Sequence, residues 1–227
     1  MKINDIELNW LGHSGFKISP VGVPSEKGKV IYIDPYNIKE GEKADLILIT
    51  HSHYDHCSLA DMSKIVKEGT KILVTADCQS KITRFNVGIK IEVVEAGQEF
   101  VFGGIKVSVV PAYNLDKPFH SKDEGWVGYV IKMNDVIIYH AGDTDKIPEM
   151  QKLTGYKQSD KKFVALLPVG GRFTMSVDEA IEAAKMIKPD LAIPMHYGSV
   201  VGIGDDAKEF VEMCKLEKIE AEVLEKS

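Results

Sequence analysis

A histidine-rich stretch directly after an apolar run constrains the fold of this chain more than any other feature. The apolar run covers residues 46–49, and residues 50–56 then read Thr-His-Ser-His-Tyr-Asp-His. A shuffled chain of the same composition would contain the pattern H-x-H-x-D-H only about 5 times in ten thousand. A short apolar run of this kind is typical of a buried strand, so the polar cluster is predicted to lie at a strand end.

The spacing within the cluster points to metal ligands. In an extended backbone, His51 and His53 project to the same side with their Cα atoms about 6.6–6.8 Å apart, so their imidazoles can converge on one cation. Asp55 and His56 are predicted to lie in the turn that leaves the strand, with their side chains directed away from this first cation. They can hold a second cation beside the first.

The composition is that of an ordinary globular protein. The chain has 227 residues, 44% of them hydrophobic and 27% charged, which predicts a single domain over residues 1–227. Its formal net charge of −6 provides no general attraction to nucleic acid or to an anionic membrane. Apolar runs such as residues 163–169 fall short of the ~20 residues that span a bilayer. Three scattered cysteines and an amino terminus without signal-peptide features predict a cytoplasmic protein.

Strand and helix patterns alternate along the chain. Apolar or alternating runs predict strands at residues 6–10, 16–19, 30–34, 46–49, 71–75, 91–94, 99–102, 105–110, 128–133, 136–140, 164–167, 191–193 and 220–224. Apolar periodicity and capping residues predict helices from Ser58 to residue 67, at 77–84, from Ser176 to residue 187 and at 205–216. This order indicates an α/β protein in which two sheets pack on each other and helices cover the outer faces.

Three further motifs extend the pattern. Residues 10–16 read Trp-Leu-Gly-His-Ser-Gly-Phe, residues 142–144 read Gly-Asp-Thr, and residues 194–198 read Pro-Met-His-Tyr-Gly. Together with H-x-H-x-D-H they resemble the metallo-β-lactamase superfamily over nearly the whole chain, in the branch of ascorbate-6-phosphate lactonase-like metal-dependent hydrolases. The resemblance implies an α/β fold, the four-layer αββα sandwich of the metallo-β-lactamase type.

The resemblance also implies ligands for two metal ions. The first ion is expected to bind His51, His53 and one further group, and the second is expected to bind Asp55, His56 and His196. Asp143, in the Gly-Asp-Thr turn, is expected to bridge both ions.

The further ligand of the first ion departs from the family pattern, because Asn114 stands where a histidine is expected. Asn is a weak, neutral oxygen donor. The nearest imidazole along the sequence is His120, and the segment 115–119 can loop it back into the site. His120 is therefore the predicted ligand, and the alternatives are Asn114 or an incompletely coordinated first metal.

The ligand types decide the expected chemistry. Imidazole and carboxylate ligands suit Zn²⁺ or Mn²⁺, and also iron, with no thiolate to select among them. Two such cations lower the pKa of a shared water toward about 7, which predicts a binuclear hydrolase whose bridging hydroxide attacks an ester, lactone or phosphodiester of a small anionic substrate. Asp55 is predicted to orient the nucleophile or to carry its proton.

A second group of residues is predicted to contact substrate or to support the ligands. Its members are His13, Asp34, Asn114, Arg172 and Tyr197. The turns at His13 and Asp34 also have a purely structural interpretation. Arg172 suits a carboxylate or phosphate but is equally consistent with a solvated loop residue, and Tyr197 either donates to a developing oxyanion or packs its ring.

Other functions fit the sequence less well. The substituted third motif keeps open a non-catalytic or sensory metal-binding module on the same fold. A nuclease would need a basic surface, and the net charge opposes binding to a polyanion. Di-iron flavoproteins share the scaffold, but they typically have Glu where His53 stands and carry an added flavin domain.

Overall fold

The computed structural model describes residues 1–23, 28–82 and 85–227, which divide into two units. The first unit comprises residues 1–95 together with 225–227, and the second comprises residues 96–224. A single domain over residues 1–227 stays a prediction.

The described residues of the first unit contain one seven-stranded sheet, with its strands side by side in chain order. The strands are β1 (Lys2–Ile3), β2 (Ile6–Gly12), β3 (Gly15–Pro20), β4 (Ile31–Ile33), β5 (Leu46–Leu48), β6 (Lys71–Val74) and β7 (Lys90–Val93). Strands β1 to β4 pair antiparallel, and β4 to β7 pair parallel. The unit also contains helices α1 (Leu59–Ile65) and α2 (Ala76–Ile82).

The parallel strands of this sheet place polar segments side by side. Every residue of β4 and β5 is buried, as expected for strands in the interior of a sheet. Asp34 follows β4, and its backbone N–H donates to the carbonyl of Leu48 at the end of β5 over 3.0 Å. Because adjacent parallel strands end at the same sheet edge, Asp34 lies next to the histidine-rich segment that follows β5.

The carboxylate of Asp61 fixes the start of helix α1. As predicted, Ser58 caps this helix: its Oγ accepts from the Asp61 N–H at 3.3 Å and donates to Asp61 Oδ2 at 2.7 Å. The same carboxylate accepts from the N–H groups of Asn37 and Ile38 at 2.8 and 3.1 Å and from Lys64 Nζ at 2.8 Å. Burial raises the pKa of Asp61, but the hydrogen bonds from Lys64, Ser58 and Asn37 outweigh it and hold this pKa below its ordinary value.

Asp61→Asn is expected to lower the free energy of unfolding by about 2 kcal/mol at pH 7, because buried donors lose a charged acceptor. Since the folded-state pKa lies below the unfolded value of about 3.9, the stabilisation is present above that value and is lost as the pH falls through the folded-state pKa. Urea unfolding at pH 7 and at about pH 3 measures the difference. Asp160→Asn, at an exposed position, is the control. Equal losses at both pH values would contradict this account.

The described residues of the second unit contain a six-stranded sheet in the order β13-β12-β11-β10-β9-β8. Its strands are β8 (Glu99–Phe102), β9 (Ile105–Pro111), β10 (Val127–Met133), β11 (Val136–His140), β12 (Lys162–Pro168) and β13 (Leu191–Met195). Strands β8 to β11 pair antiparallel, and β11 to β13 pair parallel. The helices are α3 (Val177–Ile187), α4 (Gly204–Leu216) and the 3₁₀ helices Lys122–Glu124 and Pro148–Tyr156.

Local signals set the ends of several elements in this unit. The predicted capping box is present, with Ser176 Oγ accepting from the Glu179 N–H at 3.3 Å and Glu179 Oε2 accepting from the Ser176 N–H at 2.8 Å. Helix α3 ends where Lys188 adopts a left-handed conformation before Pro189. The predicted hairpin turn joins β10 to β11, with Asn134 at φ 51°.

The structure differs from the predicted elements at a strand and at a 3₁₀ helix. The strand predicted at residues 220–224 is wrong, because Ala221 forms only an isolated bridge to Ala192. Two hydrogen bonds make this bridge: the Ala192 N–H donates to the carbonyl of Glu220, and the Glu222 N–H donates to the carbonyl of Ala192. The 3₁₀ helix Pro148–Tyr156 was not predicted. The predicted end of the second helix, at residue 84, lies outside the described residues.

No helix among the residues that the structure describes is long and apolar enough to cross a membrane. The cytoplasmic location stays a prediction.

Candidate metal centre

In the first unit, two imidazoles of the histidine-rich loop face each other. The loop leaves β5 as a series of turns, with His51 buried and His53 exposed. Nε2 of His51 lies 3.1 Å from Nδ1 of His53. Two nitrogens bound to one tetrahedral zinc ion would lie about 3.3 Å apart. This pair therefore has the spacing of two ligands to a single cation.

Asp34 holds the loop in place by accepting several hydrogen bonds. Its Oδ1 accepts from the Thr50 N–H at 2.8 Å, and its Oδ2 accepts from Thr50 Oγ1 at 2.6 Å and from His56 Nδ1 at 2.8 Å. The Thr50 hydroxyl has one proton, which goes to Asp34, so Oγ1 accepts from Nδ1 of His51 at 3.0 Å. Neutral His51 and His56 therefore carry their lone pair on Nε2. Asp34, which the sequence left open, has the contacts of a supporting residue.

His13 contacts a predicted ligand. Its Nε2 lies 2.9 Å from Asp55 Oδ2, and Nε2 of His56 lies 3.7 Å from the same oxygen. One donor atom from each of His13, Asp55 and His56 lies within 4.8 Å of the others. His13 is only 2% exposed and has φ 54°, and Trp10 Nε1 donates to its carbonyl at 2.9 Å. The turn thus presents an imidazole to the Asp55 carboxylate.

In the second unit, Asp143 lies between two imidazoles. Its Oδ2 is 3.3 Å from Nε2 of His120 and 2.9 Å from Nε2 of His196, and all three side chains are buried. Asp143 follows β11, His196 follows β13, and His120 lies in the loop between β9 and β10. The three ligands predicted in this unit are therefore adjacent.

The turn that carries Asp143 is joined to the segment that leads to His120. Thr144 Oγ1 lies 3.1 Å from the backbone N and 2.9 Å from the carbonyl oxygen of Tyr113. Asp145 Oδ2 accepts from the Leu115 N–H at 2.8 Å. Contacts at Tyr113 and at Leu115 thus set the position of the loop relative to Asp143.

The glycine-rich loop after β12 lies against His196. A Cβ atom at Gly170 would lie 2.4 Å from the carbonyl oxygen of His196, so glycine is required for this close approach. Arg172 in the same loop is exposed, and its guanidinium carbon lies 5.0 Å from the centre of the Phe173 ring.

Burial raises the pKa of Tyr197 to about 12, so this phenol stays protonated at neutral pH.

The donor atoms fit divalent metal ions. Nδ1 of His120 donates to the Phe173 carbonyl at 2.9 Å, which leaves the lone pair of Nε2 facing the Asp143 carboxylate. A lone pair and an anionic oxygen 3.3 Å apart repel each other unless a proton or a cation lies between them. Nε2 of His56 faces Asp55 Oδ2 in the same way. Imidazole nitrogen and carboxylate oxygen are ligands of Zn²⁺, Mn²⁺ and iron.

Two supporting groups were missed by sequence reasoning. Thr50 lies between the apolar run 46–49 and His51. A hydroxyl residue directly before a predicted ligand was the sequence signal for its supporting role. The carbonyl of Phe173 carries no signal in the sequence, because a backbone oxygen is independent of residue type. It could be found only through the fold.

Comparison with known proteins identifies the class to which this fold and these donor groups belong. The family model of the β-lactamase superfamily domain matches residues 7–196. A solved structure from Thermotoga maritima, named for the metallo-β-lactamase superfamily, has a TM-score of 0.58 at 22% identity and covers 92% of this chain and 85% of its own. A metallo hydrolase from Ignicoccus hospitalis has a TM-score of 0.76 at 26% identity, covering 98% of this chain and 96% of its own. The chain is therefore a member of the β-lactamase superfamily with the metallo-β-lactamase α/β fold, as predicted.

A curated relative narrows the class. A UPF0173 metal-dependent hydrolase from Thermococcus onnurineus is 37% identical over 218 residues, which cover 92% of each chain. The chain belongs to this family of metal-dependent hydrolases. The enzyme class predicted from the motifs is confirmed, whereas the individual ligand and catalytic residues stay predictions.

Proposed function

We propose that this chain hydrolyses an ester, lactone or phosphodiester of a small anionic substrate with two divalent metal ions, Zn²⁺ or Mn²⁺, or iron. His51, His53 and His120 would hold the first ion, Asp55, His56 and His196 would hold the second, and Asp143 would be shared. Bound there, the two cations would supply hydroxide at neutral pH and polarise the bond to be cleaved.

The protonation pattern of the imidazoles carries this proposal. His51, His56 and His120 each direct Nδ1 to an oxygen of the protein, at 3.0, 2.8 and 2.9 Å respectively. Each therefore keeps an unprotonated Nε2, which is the form that binds a cation. Histidines that only pack in a core would not all need to carry their proton on Nδ1, so the shared tautomer supports a common role as ligands.

Asp55 would act as the catalytic residue that orients the nucleophile and takes up its proton. Its Oδ2 lies 2.9 Å from Nε2 of His13, so this imidazole orients the carboxylate and can share a proton with it. Tyr197 would donate from its protonated phenol to an oxyanion formed next to His196.

The metal content and the substrate range test the proposal together. The purified protein is expected to bind two equivalents of Zn²⁺ or Mn²⁺ and to turn over at least one class in a panel of esters, lactones, thioesters and phosphodiesters. Binding of a single equivalent would contradict the binuclear site. Full occupancy without turnover on any class would favour a non-catalytic module instead.

Arg172→Ala is expected to raise KM for an anionic substrate roughly 10-fold while kcat changes less than about 3-fold, because the guanidinium would bind an anion that does not react. A neutral ester with the same leaving group should be cleaved equally well by both proteins. Lys208→Ala, which removes an exposed cation from helix α4, is the control. A matching loss on the neutral ester would show that Arg172 has no role in anion recognition.

A further inference from the structure

We propose that Asn114 is a positioning residue: its side-chain amide and backbone hold His120 so that Nε2 of that imidazole is presented as a ligand. The inference rests on the proposed role of His120. It gives Asn114 a function other than that of a weak metal ligand.

The contacts of Asn114 close the loop that carries His120. Its backbone N–H donates to the carbonyl of His120 at 2.7 Å. Its Nδ2 donates its two protons to the carbonyls of Phe119 and Phe173, at 2.9 and 2.7 Å. The same Nδ2 lies 3.3 Å from Nδ1 of His120, which is a direct contact between the amide and the imidazole. Asn114 is only 5% exposed, so these hydrogen bonds are shielded from water.

The Phe173 carbonyl is a shared acceptor. It also receives Nδ1 of His120, at 2.9 Å, so the amide of Asn114 and the imidazole of His120 are bound to the same oxygen. Fixing this oxygen fixes the tautomer of His120 and directs its Nε2 toward Asp143, 3.3 Å away. The chain thus uses one amide to orient one imidazole.

The orientation of the amide follows from the same contacts. Turning it over would place Oδ1 against the carbonyl oxygens of Phe119 and Phe173, where a donor is needed. Oδ1 is buried and has no hydrogen-bond partner among the residues that the structure describes. Ligation of a metal through this oxygen is therefore the competing role that an experiment must separate.

The backbone at His120 also needs to be held. His120 has φ 57°, a left-handed conformation that is costly for a residue other than glycine. The segment before it is tied to Asp145, which accepts from the Leu115 N–H at 2.8 Å and forms an ion pair with Lys117. The hydrogen bonds of Asn114 and Asp145 together hold the loop, and they stabilise His120 in its left-handed conformation.

A double-mutant cycle with Zn²⁺ alone as the probe tests the proposal. Asn114→Leu, nearly isosteric and uncharged, is expected to weaken zinc binding at one site about 10- to 100-fold in the otherwise unchanged protein. In the His120→Ala background the same substitution is expected to change zinc affinity by less than about 2-fold, because its effect passes through His120. Chelator competition measures the four dissociation constants.

Metal-free protein supplies a second readout. The ¹⁵N shifts of the His120 ring should report the Nδ1–H tautomer in the unsubstituted chain and a mixture of tautomers in Asn114→Leu. Asn114→Ala makes the same test if leucine disturbs folding, and Asn86→Ala, at an exposed position, is its control.

Each outcome has a distinct meaning. Equal losses of zinc affinity in both backgrounds, with the tautomer of His120 unchanged, would overturn the positioning role in favour of direct ligation. If His120→Ala weakens zinc binding but the Asn114 variants do not, the positioning role alone fails. If His120→Ala leaves zinc affinity unchanged, the proposed ligand set itself fails.

Discussion

Asp143→Ala is expected to lower kcat/KM by roughly 10³-fold, which corresponds to about 4 kcal/mol of lost transition-state stabilisation. The physical reason is the placement of its Oδ2 at 3.3 and 2.9 Å from Nε2 of His120 and His196. The cations that these two nitrogens are predicted to bind would then lose the anion that offsets their charge. Metal analysis after exhaustive dialysis is expected to show fewer than two bound equivalents, and kinetics with excess metal give the residual activity.

Asp143→Asn separates charge from shape in the same experiment. It keeps an oxygen at the same position but removes the negative charge, and we expect it to retain less than about a tenth of the original metal affinity. Asp160→Ala is the control because this aspartate is exposed and lies in a turn. Unchanged metal content and turnover in Asp143→Ala would refute the shared-ligand assignment.

The elements that the sequence predicts well are those whose determinants are local. The Ser176–Glu179 capping box and the turn at Asn134 each depend on residues within a few positions of one another, and both are present in the structure. The predicted strand at residues 220–224 depends instead on a partner strand far along the chain. Its apolar alternation resembles that of a strand, yet only Ala221 pairs, so pattern alone was insufficient.

The same distinction applies to the candidate site. His51 and His53 face each other, as the sequence predicts, but they do so from a loop of bends and turns after β5 and not from the extended backbone that the prediction assumed. The role of Phe173 does not follow from any spacing, because its carbonyl reaches His120 across 53 positions of the chain. Sequence patterns therefore locate the ligand types, whereas the groups that set their tautomers depend on tertiary structure.

The second large effect is expected at Asp34. Asp34→Asn should weaken metal binding about 10- to 100-fold, because an amide cannot accept from the N–H of Thr50, its hydroxyl and Nδ1 of His56 at once. An NH₂ group at the Oδ1 position would oppose the Thr50 N–H, and an NH₂ group at the Oδ2 position would oppose Nδ1 of His56. Either orientation disturbs the contacts that hold the loop and the His56 ring. Asparagine tolerates the left-handed conformation of this position, φ 44°, so backbone strain does not confuse the result.

The stability of metal-free Asp34→Asn is expected to fall by about 2–4 kcal/mol, since a buried carboxylate that accepts several hydrogen bonds is replaced by a neutral group. Asp45→Asn is the matched control, because Asp45 is also buried in the first unit and accepts from the Val30 N–H at 3.0 Å, away from the histidines. Asp45→Asn should therefore lose stability and keep its metal affinity. Chelator competition and urea unfolding of both variants measure the two quantities. A parallel loss of metal affinity in Asp45→Asn would show that Asp34 acts through general stability and not through the tautomer of His56.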